Sequence, residues 1–193
     1  MFEVFAKYLR NHIEISDEDL ELIHAGSVER HLRKWQPLAQ DGDIWLTNCF
    51  IASGCLRIYA IGEDGKEHTF RFGIDNWWVT DVESYNHEKP SMFTIEALSA
   101  STVIIWTKQK WTELMTAIPA LKEFQETLMA NSYEASQRRI YSLISSSAEE
   151  KYNEFQKTYP GVFNRVPLHM VASYLGVSRE TVSRLRKEFS RQN

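Results

Sequence analysis

The chain has 193 residues, enough for one large or two small domains with real cores, and its 43% apolar and 25% charged content is that of an ordinary globular protein. A net charge of −4 argues against a non-specific nucleic-acid coat, and no apolar run is long enough to span a bilayer, so no membrane association is expected. Two cysteines, Cys49 and Cys55, are too few for a disulfide scaffold or an iron–sulfur cluster, and each fits a strand as a small hydrophobe.

The opening MFEVFAKYLRNH alternates charge and apolarity within a few residues, unlike a cleavable signal peptide, and points to a cytoplasmic protein. Residues 1–26 read as helical, with an acidic SDEDLELI start after Ile15 and an end near Gly26. From Val28 to Ile105 short apolar or alternating runs are separated by turn signals at 41–43, 53–54, 62–66 and 87–91. CLRIYA, GEDGK and EHTFRF predict a hairpin, because Asp-Gly suits a tight turn between strands. Such spacing suggests a β-barrel or jelly roll.

After Trp106 the pattern turns helical. Pro119 suits the first turn of a long helix, and Leu121, Phe124, Leu128, Ala135, Ile140 and Leu143 give it an irregular apolar face. That face packs on the chain's own β domain, pairs with its twin in a dimer, or does both. Ser147 opens a capping box with Glu150 and starts another helix through Tyr159, which puts the linker near 145–148.

The segment RVPLHMVASYLGVSRETVSRLRKEF, from Arg165 to Phe189, has the layout of a helix-turn-helix. Val171, Leu175, Val182, Leu185 and Phe189 fit two short helices packed together, and Gly176 lies where the chain must turn. Ser178 can cap the second helix. Arg179, Glu180, Ser183, Arg184 and Lys187 fall on the opposite face. Arginine can fork onto guanine O6 and N7, and a carboxylate can accept from cytosine N4, so this face suits a major groove. The competing reading is a helical hairpin with a solvated charged face. Residues 165–193 carry a net +4, leaving −8 on the rest, which concentrates phosphate attraction at this end. The chain stops soon after the second helix, with little room expected for a β wing.

A β-roll, a long helix and a terminal helix-turn-helix together resemble the CRP/FNR family of bacterial transcription regulators, over essentially the whole chain. The most specific match is SRETVSR at 178–184, similar to the family's recognition-helix signature. SAEEKYNEFQKTYPGVFNRVPLHMVASYLGVS resembles shorter members that lack a full wing. The resemblance implies an α+β fold: a β-roll sensor domain at 1–118, a dimerisation helix at 119–146 and an all-α DNA-binding domain at 147–193. It further implies a homodimer on double-stranded DNA at promoters, beside RNA polymerase, with Arg179, Glu180 and Arg184 contacting bases.

The departure lies in the effector pocket. Family members that bind cyclic AMP carry a phosphate cassette with Gly-Glu near its start and Arg-Ser or Arg-Thr near its end. Here Gly73 is followed by Ile74, and Ser91 or Met92 falls where the arginine is expected. A buried phosphodiester without a cationic partner is costly to desolvate, and Lys89 is a poorer match than a forked arginine. Cyclic AMP binding in the usual manner is therefore not expected. Trp77, Trp78, Lys89 and Ser91 are the candidate effector-pocket residues, for an apolar or aromatic effector; the two tryptophans would otherwise fill the barrel core. The six histidines lack metal-ligand spacing, and His68, the one that would suggest a haem ligand, equally fits a structural or exposed role. No metal or cofactor is expected. With no Gly-rich phosphate loop, nucleophile elbow or clustered acid–base pair, neither is an enzyme. The rival is a β-roll module that docks a protein partner without specific DNA binding.

Overall fold

The computed structural model describes residues 1–189, so Arg191 and the tail of the expected DNA-binding domain lie outside the described residues. The helical start consists of two helices, α1 (Phe2–Arg10) and α2 (Asp17–Ala25). They are separate because Ser16 begins the second one, its hydroxyl accepting the Asp19 N–H at 3.0 Å.

Among the described residues eight strands follow, with a short helix, α3 (Val82–His87), between the sixth and seventh: β1 (Val28–Leu32), β2 (Pro37–Ala39), β3 (Thr47–Ser53), β4 (Cys55–Ile61), β5 (Glu67–Ile74), β6 (Trp77–Val79), β7 (Thr94–Ala97) and β8 (Ser101–Thr107). They form two antiparallel sheets, ordered β1-β8-β3-β6 and β2-β7-β4-β5. Ile51, Leu56, Ile58, Ile95 and Val103 point between the sheets and make the core of the roll. The predicted hairpin is β4–β5, with a register shift at Ile58/Tyr59 that leaves Phe70 unpaired as a bulge. Between β3 and β4, Gly54 has φ +120°, and a Cβ there would meet the Ser101 side chain at 2.1 Å, so only glycine fits this corner.

Strand alternation sends Phe50, Trp78 and Trp106 to the outside of the first sheet. There they pack under α1, α2, α4 (Lys108–Ala117) and the start of α5 (Pro119–Ser145), with the Trp106 indole donating to the Ile23 carbonyl at 2.9 Å. Pro119 occupies the first turn of α5 as expected. The irregular apolar face of α5 is two faces: Leu121 and Phe124 are buried against the roll, whereas Ala135, Ile140 and Leu143 stay exposed.

The Ser147–Glu150 capping box is complete, with bonds of 2.7 and 3.2 Å, and opens α6 (Ala148–Thr158). Hydrogen bonds from the Ser147 backbone N–H and from its side chain hold the Glu150 carboxyl below its ordinary range. A short 3-10 turn (Val162–Asn164), α7 (Leu168–Leu175) and α8 (Arg179–Phe189) complete the described chain. Their core, built on Tyr152, Phe155, Val171, Leu175, Val182 and Leu185, continues into the roll through Cys55, Phe72 and Leu98. Among the described residues no helix is long and apolar enough to cross a membrane.

Both cysteines are free and buried. Burial pushes the Cys55 thiol up to about 11 and that of Cys49 higher still, so both stay protonated at neutral pH. Neither thiol should react with an alkylating reagent at pH 8 in the native protein, and both should react once the chain is unfolded in denaturant. Rapid native labelling, read by mass spectrometry, would contradict this burial.

Candidate nucleic-acid interface

The helix-turn-helix is assembled by local chemistry. α7 ends at Gly176, whose φ of +66° is left-handed, and the Gly176 and Val177 N–H groups donate back to the Ser173 and Ala172 carbonyls. The Ser178 hydroxyl then accepts the Thr181 N–H at 3.1 Å and starts α8. Val182 and Leu185 are buried against α6 and α7, and Phe189 stacks on Tyr152 with centroids 5.1 Å apart. These contacts fix the rotation of α8 about its axis.

That rotation leaves Arg179, Glu180, Arg184 and Lys187 exposed on one face, with Ser183 half-buried beside them. Five predicted residues thus share one convex face, with Ser178 at its head. The Glu180 carboxyl is held below its ordinary range by its backbone N–H, then by the Ser178 hydroxyl, so at neutral pH it only accepts. Arg184 lies 3.0 Å from Glu188, an ion pair one turn further on. An exposed pair of this kind is worth only a few tenths of a kcal/mol and yields readily to a guanine or a phosphate. The spacing of four residues between Arg184 and Glu188 could have revealed it.

The four candidate effector-pocket residues do not come together. Trp77 and Trp78 are consecutive on one strand and point to opposite sides of the sheet. Trp78 lies among Phe5, Phe50 and Trp111, while Trp77 packs against Tyr159 with centroids 5.2 Å apart. Lys89 is exposed. Ser91 is buried and donates to Asp81 at 2.5 Å. The carboxylate that meets Ser91 is that of Asp81, whereas Ile74 is the last residue of β5. Asp81 caps a short helix, α3 (Val82–His87), by accepting the Glu83 and Ser84 N–H groups at 3.0 and 3.2 Å. An aspartate directly before a short helical run was the signal that could have located it. Its carboxylate is engaged by those N–H groups and by Ser91.

Sequence reading also missed Arg57, which is 2% exposed and pairs with Glu96 at 2.5 Å and Glu67 at 2.8 Å across three strands. No periodicity marks an arginine at a buried strand position. His68 is exposed on β5 beside Asp64.

Residues 29–117 match the cyclic nucleotide-binding domain family. The transcriptional activator protein FnrA of Stutzerimonas stutzeri is 25% identical over 175 residues, covering 83% of this chain and 69% of its own length. The fumarate and nitrate reduction regulatory protein of Yersinia pestis is 26% identical over 176 residues, covering 86% and 70%. In fold, the chain is similar to FixK2 from Bradyrhizobium japonicum, with a TM-score of 0.74 at 15% identity, covering 86% of this chain and 85% of that one. It is also similar to the catabolite activator protein of Thermus thermophilus, with a TM-score of 0.59 at 19% identity, covering 96% and 87%. A β-roll that matches the cyclic nucleotide-binding domain family over residues 29–117, a long helix and a capped helix-turn-helix make this chain similar to these transcription regulators over most of its length.

Proposed function

We propose that the chain acts as a cytoplasmic homodimer that reads a two-fold DNA site at promoters, beside RNA polymerase, with α8 of each subunit in the major groove. The observation that carries this reading is the exposed face of α8, where Arg179, Glu180, Arg184 and Lys187 stand free of the core. On it, Arg179 and Arg184 read guanine edges, Glu180 accepts from cytosine, and Ser183 and Lys187 meet the backbone. Two-fold pairing is supported by α5. Met129, Tyr133, Ser136, Ile140 and Leu143 are spaced alternately by four and three residues, and all are exposed. That is the seam of a two-stranded coiled coil. The functional division that follows is a sensor-type roll at 1–118, a pairing helix at 119–146 and a DNA-binding unit at 147–193, with binding rather than catalysis as its work.

The roll is not a cyclic AMP receptor of the usual kind. Supporting this, Trp77, Trp78, Lys89 and Ser91 are dispersed, and the Asp81 carboxylate already bonds to backbone N–H groups and Ser91. An effector can shift DNA affinity only if it binds one arrangement of the recognition helices better than another.

Selection from a randomised duplex library, with and without cyclic AMP, tests both points. The same two-fold palindrome should be enriched in both arms. Enrichment only with cyclic AMP would overturn the reading of the roll, and no enrichment in either arm would count against DNA recognition.

A further inference from the structure

β5 is an outer strand of its sheet, so its backbone would present unpaired N–H and C=O groups to solvent. α7 of the helix-turn-helix covers that edge. The Ser173 hydroxyl accepts the Thr69 N–H at 2.8 Å and donates to the Glu67 carbonyl at 3.0 Å, doing the work of a neighbouring strand. Beside it, the Phe72 ring meets Phe155, Tyr159 and Tyr174 at centroid distances of 5.6–5.8 Å.

From α5 comes a second grip. The Arg139 guanidinium lies 3.5 Å over the Tyr174 ring and donates to the Tyr174 carbonyl at 3.1 Å, one of the last carbonyls of α7 that no helical N–H can reach. α7 is thus held by the roll through Ser173 and by the pairing helix through Arg139. α8 is rigidly joined to α7 through Val171, Leu175, Val182 and Leu185.

We propose that Ser173 and Arg139 are positioning residues for DNA recognition. They touch no base, and they set the angle and distance at which each α8 is presented relative to the two-fold axis. The inference rests on the proposed reading of a two-fold site. It assigns half-site sequence to the α8 face and half-site spacing to the clamp on α7. One added base pair rotates one half-site by roughly 34°, since a turn takes about 10.5 base pairs, so a rigid clamp rejects it and a loose one tolerates it.

The experiment compares the wild type with a Ser173→Ala, Arg139→Gln double variant on palindromes whose centre is lengthened or shortened by one base pair. The variant should keep the wild-type half-site sequence while its discrimination between spacings falls about tenfold or more, the scale of three lost hydrogen bonds. Ser173→Thr, which retains the hydroxyl, should restore most of it. An unchanged spacing profile in the double variant would overturn the clamp.

A second measurement needs no DNA: the distance distribution between spin labels at Lys7→Cys and Glu154→Cys, in labelled chain diluted with unlabelled chain. It should be narrow in the wild type and broader in the double variant, and equal widths would overturn the clamp. If the wild type enriches no two-fold site at all, the DNA reading fails while the label distances still decide the clamp.

Discussion

Arg179→Ala combined with Arg184→Ala abolishes sequence preference and leaves the fold unchanged. Both side chains are exposed, and α8 is held by Val182 and Leu185 on its other face, so circular dichroism and thermal unfolding should match the wild type. Among the described residues, Arg184 loses its exposed pair with Glu188, which contributes little to stability. A forked arginine–guanine contact is worth about 1–3 kcal/mol of discrimination. Losing two per half-site costs about 2–6 kcal/mol, on the order of 30-fold or more, and the effect recurs in the second half-site. Titration of the selected duplex against a scrambled one, at one fixed salt concentration, checks this. Lys187→Ala is the contrast: it should weaken both duplexes about equally and reduce the salt slope by about 1, as loss of a phosphate contact does. An unchanged ratio of specific to scrambled affinity in the double arginine variant would remove α8 from recognition.

Tyr133→Glu combined with Ile140→Glu yields a monomer at micromolar concentration that no longer prefers two half-sites over one. These side chains are 66% and 53% exposed in the single chain, far out for residues of this size on a regular helix. A two-fold seam would bury four of them, at roughly 1.5 kcal/mol each or more, so their loss weakens pairing by about 6 kcal/mol, on the order of 10⁴-fold. Like charges brought together across the seam add to that. The roll should be unaffected, because the first turns of α5 are anchored by Leu121 and Phe124. Light scattering reads the mass, and a duplex carrying a single half-site reads the remaining affinity. A dimeric mass for this variant would exclude the α5 seam as the pairing surface.

The features legible without a structure are local ones. The cap at Ser178, the left-handed turn at Gly176, the capping box at Ser147 and Glu150, and the β4–β5 hairpin each depend on residues only a few positions apart. Their chemistry is complete within the segment, so residue type and spacing suffice. The α8 face belongs here too, since helical periodicity alone separates its exposed charges from Val182 and Leu185.

The four effector-pocket candidates lie apart because convergence across a sheet is not a local property. Trp77 and Trp78 are neighbours in sequence, and strand alternation sends them to different cores. Asp81 and Ser91 are ten positions apart, and only the α3 turn brings them to 2.5 Å. Likewise, an exposed stripe on α5 could be told from a buried one only after the roll had claimed Leu121 and Phe124.

The sequence by itself determined that this is an α+β chain with a capped helix-turn-helix whose second helix turns a charged face outward, because hydrogen-bond caps and helical periodicity are short-range. Tertiary structure decided that Trp77 and Trp78 face different cores, that Arg57 is paired across three strands, and that Ser173 closes the β5 edge. Those outcomes depend on which strand lies at an edge and which face turns inward, and such choices are settled only when distant segments pack together.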